Sequence, residues 1–200
     1  MKSKIEKTIT VPESKGFYIA GFADGEGSFN VSFKKRDTHL IGWKMTPVFN
    51  ISQKERVILA IIKHYMGCGT IRFRSDHVWV YEVENQRSLR DTVIPFFKRF
   101  PVLSQKKKKD FARFQKVVQL QDAQNTPTYQ TIEEVLTLLQ EVESKRSRKY
   151  TDDEIKERAL LFWKKNREKI EILNSSNNKV QDLAPQLFFP PREKTNTTFS

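Results

Sequence analysis

The chain has 200 residues, a length that suits one domain, and its 36 Lys and Arg against 24 Asp and Glu leave a formal net charge of +12. This excess favours a polyanionic partner, with nucleic acid ahead of a membrane surface. The single cysteine, Cys68, excludes an internal disulfide, and neither a membrane-spanning run nor a secretory signal is present, so we expect an intracellular protein.

The first elements predicted along the chain are a helix and two strands. Residues 1–15 form a polar arm, and a helix follows at 15–25 that is apolar on nearly every side and must be buried on more than one. Strict alternation over 28–34 predicts a strand with one wet face and one core face. A second strand is predicted at 43–53, where Pro47 favours a sheet edge or a bulge.

The later elements turn from strands to helices. A helix at 54–66 ends at Gly67, and strands follow at 70–74 and 78–83. The remaining segments are predicted helical, at 87–99, 107–121, 130–144 and 152–173. Pro95 must kink or divide the first of these.

The order αββαββα predicts an α+β fold, in which a four-stranded antiparallel sheet packs on helices and further helices follow toward the C-terminus. The opposite face of the sheet would be polar and basic, and the first three strands place no Asp or Glu on it. Its predicted members are Ser28, Asn30, Ser32, Lys34, Lys44, Thr46, Asn50, Thr70, Arg72 and Arg74. Such a face can be merely solvated, but the lack of acids favours contact with nucleic acid, through base edges in the major groove.

The helix at 15–25 ends in a string of small residues and an acid between two glycines. Ala20 and Gly21 would let a second helix approach closely, and Glu26 would be presented at the helix end. If two such helices pair, their Glu26 carboxylates repel one another unless a cation lies between them. Hard oxygen ligands of this kind suit Mg²⁺. The alternative is a helix-end turn with ordinary surface acids.

This string resembles the motif of the LAGLIDADG homing endonucleases, and it reads here as Ile19-Ala20-Gly21-Phe22-Ala23-Asp24-Gly25-Glu26-Gly27. A single motif implies a homodimer. The resemblance implies an intron-encoded, site-specific endonuclease that hydrolyses both strands of a long pseudo-palindromic double-stranded DNA site and leaves 3′ overhangs. Glu26 and the Gly25 carbonyl would bind Mg²⁺, for which Ca²⁺ or Mn²⁺ could substitute. The implied dimer interface is Phe17, Ala20, Gly21 and Asp24.

Other catalytic positions are also implied by the resemblance. Gln53 stands where the family has a glutamine that positions water and metal. The family often has a basic residue a few positions after this glutamine. Arg56 is the nearest candidate here, although Val57 can be the residue at the family's own position. The active-site lysine is Lys106 when counted from the preceding proline and Lys107 when counted back from the following helix. We take Lys106, which would stabilise charge on the phosphate or the attacking water.

A basic segment at 144–150 resembles the loop that grips the DNA backbone in single-motif members, although a polar linker would have the same composition. The predicted DNA contacts also include Arg36 and four cations of this segment, namely Lys145, Arg146, Arg148 and Lys149. The resemblance weakens along 16–172, which we take as the endonuclease domain before a tail at 173–200.

The alternatives are an intron maturase, a non-cleaving DNA- or RNA-binding relative, and an unrelated basic RNA-binding protein. The family resemblance implies the bacterial cytoplasm or an organelle interior, and no small-molecule substrate or membrane partner is expected.

Overall fold

The computed structural model describes residues 11–123, 126–140 and 149–187, with side chains up to residue 175. Its strands form one antiparallel sheet in the order β1-β2-β4-β3. The elements in chain order are α1 (Glu13–Glu26), β1 (Gly27–Lys35), β2 (Trp43–Gln53), α2 (Arg56–Met66), β3 (Thr70–Phe73), β4 (Trp79–Val83), α3 (Gln86–Ser88), a π-helical segment (Leu89–Val93), α4 (Ile94–Arg99), α5 (Gln105–Asp122), α6 (Tyr129–Gln140) and α7 (Asp152–Leu187). This is the predicted α+β arrangement. Within the described ranges, no helix is both long and apolar enough to cross a membrane.

The first helix passes into the sheet without a loop. Gly27 begins β1 directly after α1 and donates its backbone N–H to the Ala23 carbonyl. A Cβ on Gly27 would lie 2.5 Å from that same carbonyl oxygen, so this close approach requires glycine. The last residue of α1 is therefore held at the end of the sheet.

Pro47 was predicted to mark a sheet edge or a bulge, but β2 lies in the middle of the sheet. β1 pairs with β2 along its whole length, whereas β4 pairs with β2 only from Phe49 to Gln53. The first half of β2 is thus open on its β4 side, where a proline without an N–H costs no ladder hydrogen bond.

Helices cover one face of the sheet and enclose two hydrophobic clusters. The first is centred on Phe29 and Phe49, whose ring centroids lie 5.1 Å apart, and it includes residues of α1, α2, α4 and α5. The second joins Trp43 to α5, α6 and α7. Odd-numbered residues of β1 and β2 supply both clusters, which agrees with the alternation in the sequence.

Two predicted helices differ from the structure. The helix at 87–99 is divided by a π-helical segment, in which Ile94 donates to the Leu89 carbonyl immediately before Pro95. The prediction that the last helix ends near 173 was wrong, because α7 continues to Leu187. Asn174, which lies in the predicted tail, exchanges two 3.1 Å hydrogen bonds with the backbone of Thr126.

Candidate active site and nucleic-acid interface

The predicted metal ligands lie at the junction between α1 and β1. Glu26 is the last residue of α1, and both it and Gly25 are exposed. The C-terminal end of a helix carries partial negative charge, so a carboxylate there is unfavourable unless a cation accompanies it. The position of Glu26 therefore favours cation binding.

The start of α5 places one lysine beside this junction. Lys107 donates a hydrogen bond from its ammonium group to the carbonyl of Gly27, the residue that follows Glu26. Lys106 is exposed. Neighbouring residues on a helix point about 100° apart, so only one of the two lysines can face β1. This contact supports Lys107 as the active-site lysine and argues against our choice of Lys106.

Asp24 joins the end of α1 to the start of α5. Its carboxylate accepts hydrogen bonds from the backbone N–H groups of Leu103 and Ser104, at 3.1 and 2.9 Å, and from the Ser104 hydroxyl. Partial burial alone would raise the pKa of Asp24, but the hydrogen bonds from Ser104 and Leu103 and the charge of Lys107 lower it below the ordinary value. Asp24 thus ties α5 to the junction.

Gln53 lies at the same end of the sheet. It ends β2 two residues after Ile51, which pairs with Gly27. Its partner on the other side is Trp79 of β4, and the Arg56 guanidinium lies 5.5 Å from the centre of the Trp79 ring. Arg56, which with Val57 is one of the two candidates for the basic position, therefore contacts the residue that pairs with Gln53.

The donors at the junction are hard oxygens, namely one carboxylate and one backbone carbonyl, and such a set fits a divalent cation. Across the described residues, no three His, Cys, Asp or Glu side chains gather to hold a metal.

The outer side of α1 is apolar and open. Phe17 and Tyr18 are 51% and 52% exposed, and beyond its own turn of helix a Cβ added at Gly21 would meet no described residue within 4 Å. Ala20, which we expected in the dimer interface, is instead 2% exposed and packs in the chain's own core. Asp24 is likewise engaged within the chain, so only Phe17 and Gly21 of the predicted set are available.

The sheet face opposite the helices carries the predicted polar residues. The row nearest the junction contains Ser28, Asn50, Glu82 and Thr70, in order across the sheet. At the other end of the ladder, Lys34 lies opposite Lys44 on the same face, and both are exposed. Like charges directly opposite one another are destabilising, so this pair favours a bound anion.

The accessibility of this face is uneven. The exposed members are Lys34, Arg36, Lys44, Thr70, Arg72 and Arg74, and the half-buried members are Ser28, Asn30, Ser32 and Asn50. Thr46 is 7% exposed, which argues against our prediction that it contacts DNA. Glu82 adds an acid from β4, whose orientation the sequence left open, and it pairs with Arg72 at 3.2 Å. Exposed pairs of this kind are weak and can exchange for a phosphate.

The predicted basic loop is only partly described. Lys149 is exposed and lies 5.4 Å from the ring centre of Tyr150. Lys145, Arg146 and Arg148 lie outside the described residues.

Residues 19–118 match the sequence model of a family described as LAGLIDADG endonuclease. The homing endonuclease I-ApeII of Aeropyrum pernix is 33% identical over 103 residues, which are 50% of this chain and 60% of that protein. The DNA endonuclease I-CeuI of Chlamydomonas moewusii is 31% identical over 139 residues, which are 66% of this chain and 62% of that protein. The chain therefore spans less than two thirds of the length of either relative.

Solved structures agree with this match. The archaeal intron-encoded homing endonuclease I-Vdi141I, solved in complex with DNA, has a TM-score of 0.62 and 26% identity, covering 75% of this chain and 97% of that one. The homing endonuclease I-TnaI, at 24% identity, supports the fold alone, with a TM-score of 0.63 over 74% of this chain and 97% of that one. From the junction of α1 and β1, the sheet and the match over residues 19–118, we conclude that the chain belongs to the LAGLIDADG endonuclease family.

Proposed function

We propose that this chain is an intron-encoded homing endonuclease that acts as a homodimer and hydrolyses both strands of a specific DNA site with Mg²⁺. The observation that carries the proposal is the contact of the Lys107 ammonium group with the carbonyl of Gly27, the residue that follows the exposed Glu26. Gln53 ends the neighbouring strand, two residues after the partner of Gly27.

Each of these groups has a separate role in hydrolysis. Glu26 and the Gly25 carbonyl would hold the cation, which when bound supplies a water of lowered pKa and charge stabilisation at the phosphate. Gln53 orients the attacking water through its side-chain amide. Lys107 stabilises the negative charge that develops on the phosphate oxygens.

The exposed side of α1 supports the homodimer. Pairing α1 with its copy through Phe17 and Gly21 would bury their exposed surface and bring the two helix ends, each with one Glu26, close together. Two sites related by the dimer axis could then act on opposite strands. The polar faces of the two sheets would lie along the duplex and read base edges in the major groove.

Replacing Glu26 by glutamine tests the catalytic assignment. A target duplex is first selected from a randomised pool by cleavage with the wild-type protein and Mg²⁺. We expect Glu26→Gln to bind this duplex with an affinity close to that of the wild type, but to cleave it at least about a hundredfold more slowly.

Glu13→Gln is the matched control, because it removes an acid from the first turn of the same helix. It should cleave at the wild-type rate. Normal cleavage by Glu26→Gln would remove Glu26 from the site, and failure of the wild-type protein to cut any duplex in the pool would overturn the proposed activity.

A further inference from the structure

The loop between β1 and β2, residues 36–42, lies beside the basic end of the polar face and is closed by its own hydrogen bonds. The N–H of Arg36 donates to the Gly42 carbonyl at 3.1 Å, and the N–H of Gly42 donates to the His39 carbonyl at 2.8 Å. Lys34 and Lys44 lie on the strands that leave this loop. The conformation of the loop therefore sets where several predicted phosphate contacts lie.

One arginine of α7 contacts both ends of this loop. Arg158 donates from Nε to the Gly42 carbonyl at 3.0 Å. The same carbonyl accepts the hydrogen bond from the Arg36 N–H that closes the loop. A terminal nitrogen of Arg158 pairs with the carboxylate of Asp37. The Arg158 side chain is 24% exposed, whereas that of Asp37 is 86% exposed, so the arginine comes from a packed helix to a loop that faces solvent.

Packing fixes the orientation of Arg158. Its guanidinium lies 4.6 Å from the ring centre of Phe162 and 5.8 Å from that of Trp43, within cation–π range of both. Gly42 has a φ of +75°, and a Cβ there would lie 2.8 Å from the Phe162 ring. The loop thus approaches α7 as closely as a glycine allows.

Two further hydrogen bonds connect α7 to this loop and to the first residue of β2. Asn166 donates from Nδ2 to the Leu40 carbonyl at 3.0 Å, and the indole N–H of Trp43 donates to the Ile155 carbonyl at 3.0 Å. These contacts join residues more than a hundred positions apart along the chain. The first uses a backbone carbonyl of the loop, and the second uses the side chain of the residue that follows the loop.

We propose that Arg158 is a positioning residue, through which α7 holds the β1–β2 loop in the conformation that binds DNA. Arg158 raises the affinity for the duplex and leaves the hydrolytic step unchanged, because it contacts the end of the β1–β2 ladder that is opposite to Glu26. This inference rests on the proposed function for its DNA readout. Its structural part can be tested on the free protein.

The test on the free protein is hydrogen exchange at the amides of Arg36, His39 and Gly42, all of which donate within the loop. We expect these amides to exchange about tenfold faster in Arg158→Ala, because the loop would be open for about ten times as large a fraction of the time. The control is Arg167→Ala, which removes an exposed pair with Glu171 from the same helix and should leave these amides unchanged. Unchanged exchange in Arg158→Ala would overturn the proposal.

The test with DNA uses the duplex selected by the wild-type protein. If the loop holds its binding conformation about a tenth of the time without Arg158, binding measured without divalent metal should weaken about tenfold. Single-turnover cleavage at saturating protein should keep its wild-type rate. Arg158→Lys, which keeps the charge but loses the planar fork, should recover only part of the affinity.

A double variant separates positioning from charge neutralisation. If Arg158 only screens the carboxylate of Asp37 from the DNA, Arg158→Ala with Asp37→Asn will bind as the wild type does, and the proposal is overturned. Continued weak binding by the double variant supports it. If no duplex is bound by the wild-type protein, the proposed function fails, and hydrogen exchange still decides whether Arg158 holds the loop.

Discussion

Lys106 and Lys107 carry the same charge at adjacent positions, but α5 directs only one of them at β1. Lys107 contacts the Gly27 carbonyl beside Glu26, while Lys106 is exposed. We therefore expect Lys107→Met to slow cleavage at saturating protein by about a hundredfold, since it removes one group that stabilises developing charge. Lys106→Met is the matched control and should cleave within a few-fold of the wild-type rate. The reverse order of rates would return the role to Lys106.

Asp24 gives a second prediction at the level of single residues, on stability and pH. Its three hydrogen bonds hold the start of α5, so Asp24→Ala should lower the free energy of unfolding by about 2 kcal/mol at pH 7. Because the pKa of Asp24 is lowered in the folded protein, this stabilisation is present above the unfolded pKa of about 4. It is lost as the pH falls through the folded pKa. Denaturant titrations at neutral and acidic pH should therefore show a difference between the two proteins that shrinks in acid.

Among the elements, α1 has two apolar sides, and the structure assigns them to different tasks. Ile19, Ala20 and Ala23 pack on the sheet, while Phe17 and Gly21 face outward. Gly21 is exposed with open space beside its Cβ position, and leucine raises helix propensity by about 1 kcal/mol, so Gly21→Leu should fold at least as stably as the wild type. It should nevertheless separate the paired helices, which sedimentation would detect as a monomer. A stable, fully dimeric Gly21→Leu protein would exclude this side of α1 as the interface.

The whole molecule carries a formal net charge of +12, and several of its cations lie along one sheet face. If about six phosphates are contacted, affinity for the selected duplex should fall by about 10³-fold between roughly 50 and 200 mM salt. Fluorescence anisotropy over a salt series measures this slope. An affinity that does not change with salt would exclude a binding mode based on phosphate contacts.

Much of this architecture could be read from local patterns. The order αββαββα, the polar face of β1 and β2 and the presentation of Glu26 at a helix end were all predicted, because period-two alternation and glycines act within a few residues. The capping box of α7 is local in the same sense, because the side chains of Thr151 and Glu154 each accept a hydrogen bond from the other's backbone N–H. The motif itself identified the family.

Only the tertiary structure decided which neighbours those residues have. Such contacts join positions 80 to 121 residues apart: Ser104 donates to Asp24, Lys107 contacts Gly27 and Arg158 contacts the loop. No local pattern signals such contacts, because they depend on how α5 and α7 pack on the sheet. For the same reason the sequence could not show that Ala20 and Thr46 are buried, since burial depends on the other elements that cover a residue.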